Sequence, residues 1–190
     1  MVQTLIKEIT ITLDEFLKQA ETKPAQEFFD HKIYTKPMPQ GQHSTIQGEL
    51  VTTINTVTKK HKIAWAFPEL RCTFSGSSIV PDIAVFKWEN LPVNEDGTIA
   101  NKFNLAPDWM IEILSPDQSM TILIKKILHC LDHGTMLGWI IDPEEKVIFC
   151  YAPSSQVQYF EQEKDLIPVP SFLQDFQLTL GDIFGWLNVQ

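Results

Sequence analysis

The stretch Ile79-Val80-Pro81-Asp82-Ile83-Ala84-Val85-Phe86 is apolar throughout except for one carboxylate. A second stretch, Trp109-Met110-Ile111-Glu112-Ile113-Leu114, repeats this arrangement around Glu112. Both stretches are rich in β-branched and aromatic residues, and both are too continuously apolar to be half-exposed. They predict interior strands of a sheet that is covered on both faces.

Helices and further strands are predicted on either side of these stretches. Apolar residues recur at spacings of three and four from Ser44 to Lys60 and again from Met120 to Leu131, which indicates two amphipathic helices. Gly134 then lies where the end of a helix favours positive φ. Short helices are also predicted around 13–19 and over 180–187, and further strands over 62–67, 70–74, 137–142 and 147–151. The last two strands are joined by a predicted hairpin turn.

Length and composition predict one domain. With 190 residues, 44% of them hydrophobic, the chain can bury one sizeable core but is short for two. We expect an α/β (α+β) fold over 1–190, a mixed central β-sheet flanked by helices, with an N-terminal helical segment 1–40 and a C-terminal extension 152–190. No apolar run approaches the roughly 20 residues that span a bilayer, so a cytoplasmic protein without a membrane partner is expected. The three cysteines form no CxxC pair, which argues against a zinc site.

The two acids within the apolar stretches need partners, because burying an isolated carboxylate is costly. Asp82 and Glu112 could converge on a hard divalent cation, which prefers oxygen ligands and offsets their repulsion. The alternative is that each acid meets a lysine, Arg71 or backbone amides at a strand end. If the two carboxylates share a cation site, removing one of them is expected to preserve or even improve the stability of the metal-free chain.

Further motifs surround these acids in a defined order. They are Glu27-Phe28-Phe29-Asp30, His43 at the start of the first long helix, Val80-Pro81-Asp82-Ile83-Ala84-Val85, Ala106-Pro107-Asp108-Trp109, Ile111-Glu112-Ile113-Leu114-Ser115-Pro116, and Gly134 followed by Trp139-Ile140-Ile141-Asp142-Pro143. Taken together, the chain from Pro24 to Leu187 resembles the Uma-type restriction endonuclease family, which is abundant in cyanobacteria and belongs to the PD-(D/E)XK nuclease superfamily. The resemblance implies a restriction-endonuclease-like core.

The resemblance also implies roles for individual residues. Asp82 and Glu112 would bind Mg²⁺ or Mn²⁺, and a lysine would position or activate the attacking water. In the superfamily that lysine follows the glutamate by two residues, where this chain has Leu114. In the family it lies on the next helix, eight residues before the glycine that ends the helix, which assigns Lys126. Periodicity alone does not choose between Lys126 and Lys125, because both flank the apolar stripe at similar angles.

Additional candidates come from the same resemblance. His43 matches a family position at the start of a helix, and Glu69 resembles an acidic position near the metal site. For both residues, an ordinary surface position is the alternative interpretation, and for Lys125 and Lys126 alike it is the solvated edge of an amphipathic helix. His129 and His133 have the spacing of zinc ligands, but no third ligand accompanies them, so a surface position near the helix C-terminus is favoured.

The leading functional hypothesis is a magnesium-dependent endonuclease that hydrolyses DNA, with Asp82, Glu112 and Lys126 as catalytic residues. The net charge of −9 counts against a general basic DNA-binding surface. A local cluster would have to supply the DNA contacts, and its members are Lys59, Lys60, Lys62 and Arg71.

Two other hypotheses remain open. The chain could be a catalytically degenerate nuclease fold that acts as a binding or interaction module, which Leu114, Ile122 and the scarcity of arginine favour. It could also form a homodimer through its aromatic C-terminal segment, Phe172 to Trp186.

Overall fold

The computed structural model describes residues 11–116, 118–173 and 176–189, which contain four α-helices and ten β-strands. The helices are α1 (Leu13–Leu17), α2 (Gly41–Thr58), α3 (Met120–Leu131) and α4 (Leu180–Gly185). The strands are β1 (Gln26–Phe29), β2 (Lys32–Thr35), β3 (Ala64–Pro68), β4 (Cys72–Phe74), β5 (Ser77–Ile79), β6 (Ile83–Lys87), β7 (Trp109–Ile113), β8 (Leu137–Asp142), β9 (Val147–Tyr151) and β10 (Gln158–Phe160). None of the helices in these ranges has the length and apolar character needed to cross a membrane.

The strands form two sheets. The larger has the order β10-β9-β8-β7-β6-β3, and the smaller has the order β2-β1-β5-β4. Strands β7 and β8 are parallel, and α3 connects them, because parallel neighbours need a crossover connection. The other pairings described in the larger sheet are antiparallel. The predicted class, a mixed sheet flanked by helices, is confirmed, whereas the second sheet was not predicted.

The larger sheet is covered on both faces, as its continuous apolar runs predict. One face packs against α2 and α4, with Ile46, Leu50 and Ile183 in the shared core. The opposite face packs against α3 and the smaller sheet, with Ile79 and Ile127 in a second core. Strands β6, β7 and β8 lie in the middle of the sheet and are almost entirely buried. The acids within β7 and next to β6 are therefore surrounded by protein.

The segment 1–40 was expected to be helical, and its described part is mostly a strand hairpin. Helix α1 spans only Leu13–Leu17, and the side chain of Thr12 caps its start. Strands β1 and β2 then pair as an antiparallel hairpin. At the turn, Asp30 and His31 have φ values of 52° and 58°, the left-handed conformation of a tight two-residue turn. Four-residue strands are too short for their alternation to stand out in a sequence, and residues 1–10 lie outside the described residues.

The apolar stretch 79–86 forms two strands in different sheets. Strand β5 ends at Ile79 and belongs to the smaller sheet, while β6 begins at Ile83 and belongs to the larger one. Pro81 lies between them and has no N–H to offer to a strand ladder. The break leaves Asp82 where the chain passes from one sheet to the other, directly before β6.

The C-terminal extension 152–190 packs on the larger sheet over its described part. Strand β10 extends one edge of that sheet, and Phe176, Ile183 and Phe184 are buried in the core on the α2 side. Phe172 and Trp186 pack against the same core while remaining partly exposed. Much of the aromatic surface on which the homodimer hypothesis rests is therefore engaged within the chain itself.

Candidate active site

Asp82 and Glu112 face each other across two antiparallel strands. The register of β6 and β7 pairs Ile83 with Ile111, so one further step places Asp82 opposite Glu112. Facing positions of this kind bring two side chains onto the same face, with Cβ atoms about 4.5–5.5 Å apart. The backbone N–H of Asp82 donates to Oε2 of Glu112 at 3.3 Å. The structure thus brings the two predicted carboxylates together, and both are buried.

Two lysines enter the same buried space. The Nζ atom of Lys126 lies 2.6 Å from Oε1 of Glu112 and donates to both carboxylate oxygens of Glu27, at 3.1 and 3.0 Å. The Nζ atom of Lys36 donates to Oδ1 of Asp82 at 2.6 Å and lies 3.8 Å from Oε2 of Glu112. We call these five residues, Glu27, Lys36, Asp82, Glu112 and Lys126, the ionic cluster. It contains three carboxylates and two ammonium groups, and all five residues are buried.

His43 lies against the cluster rather than on the surface. Its Nε2 atom is 3.1 Å from Oδ2 of Asp82, which also accepts the backbone N–H of Ile113 at 2.7 Å. The other ring nitrogen of His43 is buried and has no hydrogen-bond partner among the described residues. One turn further along α2, the side-chain amide of Gln47 donates to the backbone carbonyl of Asp82 at 2.7 Å. The first turns of α2 therefore hold Asp82 from two directions.

Two sequence candidates lie outside the cluster. The Nζ atom of Lys125 is 3.3 Å from Oδ2 of Asp30, and both side chains are about half exposed. Glu69 is exposed, and only its backbone N–H reaches the site, by donating to the carbonyl of Asp82 at 3.1 Å. Helix α3 thus turns Lys126, and not Lys125, toward the carboxylates, and the Glu69 side chain stays apart from them.

The sequence-based site prediction missed Glu27 and Lys36. Glu27 is a charged residue beside apolar ones in a strand, which is the feature that identified Asp82 and Glu112. It would have qualified if β1 had been predicted. Lys36 follows the end of β2 in the segment Lys36-Pro37-Met38-Pro39, where nothing in the local pattern signals burial.

Burial and charge move the pKa values of the two central carboxyls in opposite directions. Burial raises the pKa of Glu112 to about 7, against the opposing effect of Lys126 and then Lys36. Burial also acts to raise the pKa of Asp82, but Lys36 and then His43 outweigh it and hold that pKa below its usual value. Burial acts to lower the pKa of Lys126, and Glu112 and Glu27 reverse this and raise it. Two neighbouring carboxyls with separated pKa values are a common feature of acid–base sites.

The oxygens of Asp82 and Glu112 suit a hard divalent cation. Mg²⁺ is usually held by one or two carboxylates together with water and substrate phosphates, and rarely by an all-protein cage. Within residues 11–116, 118–173 and 176–189, no group of three or more His, Cys, Asp or Glu side chains is arranged to hold a metal ion. Two carboxylates on facing strands are enough for a Mg²⁺ site whose other ligands are water and substrate phosphates. The ammonium of Lys36 lies 2.6 Å from Oδ1 of Asp82 and 3.8 Å from Oε2 of Glu112. These oxygens would therefore fit Mg²⁺ or Mn²⁺ only if the Lys36 side chain moved away.

Two cavities lie beside the site, and Pro116 lines both of them. The first, of about 230 Å³, is lined by Glu27, Lys36 and Lys126 among others. The second, of about 420 Å³, is lined in part by His43 and by residues that follow β7. A substrate group could reach the ammonium groups from the first cavity and the His43 side from the second.

The basic residues expected to contact DNA, Lys59, Lys60, Lys62 and Arg71, line neither of these two cavities. Arg71 donates to both carboxylate oxygens of Glu21, at 2.8 and 2.7 Å. The Nζ atom of Lys59 lies 3.8 Å from the centre of the Trp65 ring. Lys59 follows the last residue of α2, so it is about 24 Å from His43 at 1.5 Å of rise per residue. Nucleic acid held at the ionic cluster would meet Lys59 only if it extended along α2.

Comparison with known proteins adds the family. The family Uma2, described as "Putative restriction endonuclease", matches residues 13–181. The chain belongs to the Uma2 family. A similar solved structure, with a TM-score of 0.92 and 56% sequence identity, is that of "a putative nuclease belonging to DUF820" from Anabaena variabilis, and the match covers 94% of this chain and 99% of that one. No curated protein matches the chain.

The Uma2 match includes every residue of the ionic cluster and His43. The resemblance drawn from the sequence is therefore confirmed at the level of the family and the fold. Both the Uma2 description and the name of the Anabaena protein refer to nucleases. The roles of individual residues stay predictions.

Proposed function

We propose that the chain is a metal-dependent endonuclease that hydrolyses phosphodiester bonds of DNA, with Mg²⁺ or Mn²⁺ as its cofactor. The observation that carries the proposal is the meeting of Asp82, Glu112 and Lys126 in one buried cluster, which borders the cavity of about 230 Å³ through Glu27, Lys36 and Lys126. The family description and the nuclease from Anabaena variabilis support the reaction class. The cytoplasmic location and the homodimer stay predictions from the sequence.

The residues of the cluster have separate tasks in this proposal. Asp82 and Glu112 would hold the metal, which when bound supplies a Lewis acid for the phosphate and lowers the pKa of a bound water. Glu27 holds Lys126 through two hydrogen bonds, and Glu27 is itself fixed by the backbone N–H of Val80 at 2.7 Å. An ammonium group fixed in this way stabilises negative charge that develops on a phosphate without having to reorganise during the reaction.

His43 orients Asp82 rather than taking part in the reaction. Its Nε2 atom and the backbone N–H of Ile113 both contact Oδ2 of Asp82. The other oxygen, Oδ1, faces Lys36 and the proposed metal position. A carboxylate held at one oxygen presents its other oxygen in a defined direction. Such second contacts to a metal ligand tune its geometry and are often as important as the ligand itself.

A second candidate function is a nuclease fold that binds DNA without cleaving it. The observation that favours it is the position of Lys36, whose ammonium neutralises Asp82 and approaches Glu112 where a metal would lie. Together with Lys126, it reduces the net charge of the three carboxylates to −1 without a metal. A permanently bound lysine would make the cluster a structural element.

Incubation with nucleic acid distinguishes the two candidates. Supercoiled plasmid and circular single-stranded DNA would be incubated with the wild type in Mg²⁺, in Mn²⁺ and with a chelator. We expect cleavage only with metal, a loss on the order of 10²-fold or more in Lys126→Ala, and little change in Lys125→Ala, whose side chain lies outside the cluster. Retarded migration of DNA on a gel without cleavage under any condition would favour the binding function, and equal cleavage by both lysine variants would remove Lys126 from the mechanism.

A further inference from the structure

Lys36 is held where two buried carboxylates meet. Its ammonium donates to Oδ1 of Asp82 at 2.6 Å and to the backbone carbonyl of Val80 at 2.7 Å, and it lies 3.8 Å from Oε2 of Glu112. Its side chain is 7% exposed, and those of Asp82 and Glu112 are 1% and 0% exposed. The ammonium of Lys36 therefore occupies the point between the two carboxylates.

The charge of the cluster explains why a cation is needed at that point. Without Lys36, three buried carboxylates would share the single ammonium of Lys126. Uncompensated buried charge is strongly destabilising, so the fold requires this lysine, another cation between Asp82 and Glu112, or a proton on one of the carboxyls. A divalent ion would meet the same requirement with a larger charge.

Lys36 and a metal ion cannot occupy this point together. Ligand oxygens lie about 2.0–2.6 Å from Mg²⁺ or Ca²⁺, and the Nζ atom already lies at hydrogen-bond distance from Oδ1 of Asp82. The two cations would also repel each other strongly in a buried site. Binding of one therefore excludes the other.

The chain gives Lys36 room to withdraw. Lys36 lies one residue beyond β2, and its backbone N–H donates to the carbonyl of Ala25 at 2.9 Å, which anchors the main chain independently of the side chain. The cavity of about 230 Å³ is lined by Lys36 itself and by its neighbour Pro37. Rotation of the side chain into this cavity would free the two carboxylates without moving a strand.

We propose that Lys36 is an internal stand-in for the metal: it occupies the cation position of the metal-free chain, competes with the divalent ion and leaves when that ion binds. This inference rests on the proposed metal-dependent function and describes how the same site is kept stable when empty. It also predicts that Lys36 weakens metal binding, since the ion must displace an ion pair.

Equilibrium binding of Mn²⁺ tests the competition directly. Free Mn²⁺ would be followed by electron paramagnetic resonance during titration of the wild type, of Lys36→Met and of the control Lys125→Met. We expect Lys36→Met to bind Mn²⁺ at least about tenfold more tightly than the wild type, and Lys125→Met to match the wild type. Equal affinities for the wild type and Lys36→Met would overturn the competition while leaving the metal site intact. Absence of binding in all three proteins would overturn the metal site and the proposed function with it.

Lysine reactivity in the wild type provides a test that does not depend on a folded variant. The protein would be treated briefly with an acetylating reagent, with and without Mn²⁺, and each lysine would be quantified by mass spectrometry. We expect acetylation of Lys36 to rise several-fold with Mn²⁺, that of Lys126 to stay low, and that of the half-exposed Lys125 to stay high. Protection of Lys36 that persists with Mn²⁺ bound would overturn the proposal.

Discussion

Replacing Lys126 by methionine tests whether the ionic cluster stabilises the fold. The ammonium lies 2.6 Å from Glu112 and within 3.1 Å of both oxygens of Glu27, and its removal leaves two buried carboxylates without this partner. Breaking a buried ion pair by removing one partner costs about 3–5 kcal/mol. Methionine has a similar volume, so little of the loss would come from a cavity. The matched change Lys125→Met removes a half-exposed pair with Asp30 and is expected to cost only about 0.2–1 kcal/mol.

Urea unfolding in metal-free buffer measures this difference. The buried indoles of Trp109 and Trp139 provide a fluorescence signal for loss of the core. We expect the midpoint of Lys126→Met to fall well below that of Lys125→Met with a similar dependence on urea, so that the shift reports stability. If the free energies of unfolding of the two variants differed by less than about 1 kcal/mol, the ammonium of Lys126 would not be part of a buried ionic cluster, and our interpretation of the site would be wrong.

Two further substitutions are expected to change stability. Asp82→Asn should lower the metal-free stability by about 1–3 kcal/mol, because the buried ammonium of Lys36 loses its carboxylate partner at 2.6 Å. An unchanged or higher urea midpoint would contradict this ion pair. Gly138→Ala should cost about 1–3 kcal/mol of stability, because its Cβ would lie 2.5 Å from the buried Cγ2 of Ile127. The control Gly48→Ala, whose Cβ meets open space, should be neutral or stabilising. Equal urea midpoints of the two alanine variants would show that α3 and β8 tolerate the added methyl group.

The sequence predicts the elements of the larger sheet well and those of the smaller sheet poorly. The central strands β6, β7 and β8 are long, apolar and β-branched, so the local pattern is enough to identify them. Strands β1 and β2 of the smaller sheet have four residues each, and β10 at the edge of the larger sheet has three, so each is too short for a local pattern to identify it. The passage of 79–86 between two sheets likewise depends on pairing that no local window contains.

The choice between Lys125 and Lys126 was open because the apolar stripe of α3 in the sequence is wider than the face that the fold buries. The sequence contains a wide stripe that includes Leu128, which is 47% exposed in the fold. The face that is buried contains Leu123, Lys126 and Ile127, so a lysine occupies a position facing the core. Hydrophobic periodicity places a lysine at the polar edge of a helix. Here Lys126 is buried because its ammonium pairs with the buried carboxylates of Glu27 and Glu112.

The lysines also reverse one expectation drawn from the carboxylates alone. Two neighbouring acids predict that removing either would relieve repulsion and preserve or even improve the stability of the metal-free chain. In the fold, Lys36 pairs with Asp82 and holds its pKa below the usual value, so removal of the Asp82 charge leaves a buried ammonium without its carboxylate partner. The position of Lys36 depends on a contact with a residue 46 positions away, which local sequence does not reveal.

Plasmid cleavage by the wild type and by Asp82→Asn tests whether Asp82 holds a metal that is needed for DNA hydrolysis. The two proteins would be purified side by side and their cleavage rates measured in the same Mg²⁺ buffer. The change preserves the size of the side chain but removes the charge that would hold the metal, and a contaminating nuclease would be present equally in both preparations. We expect nicked or linear plasmid with the wild type, and a rate lower by on the order of 10²-fold or more with Asp82→Asn. Cleavage by Asp82→Asn at the rate of the wild type would contradict this role of Asp82.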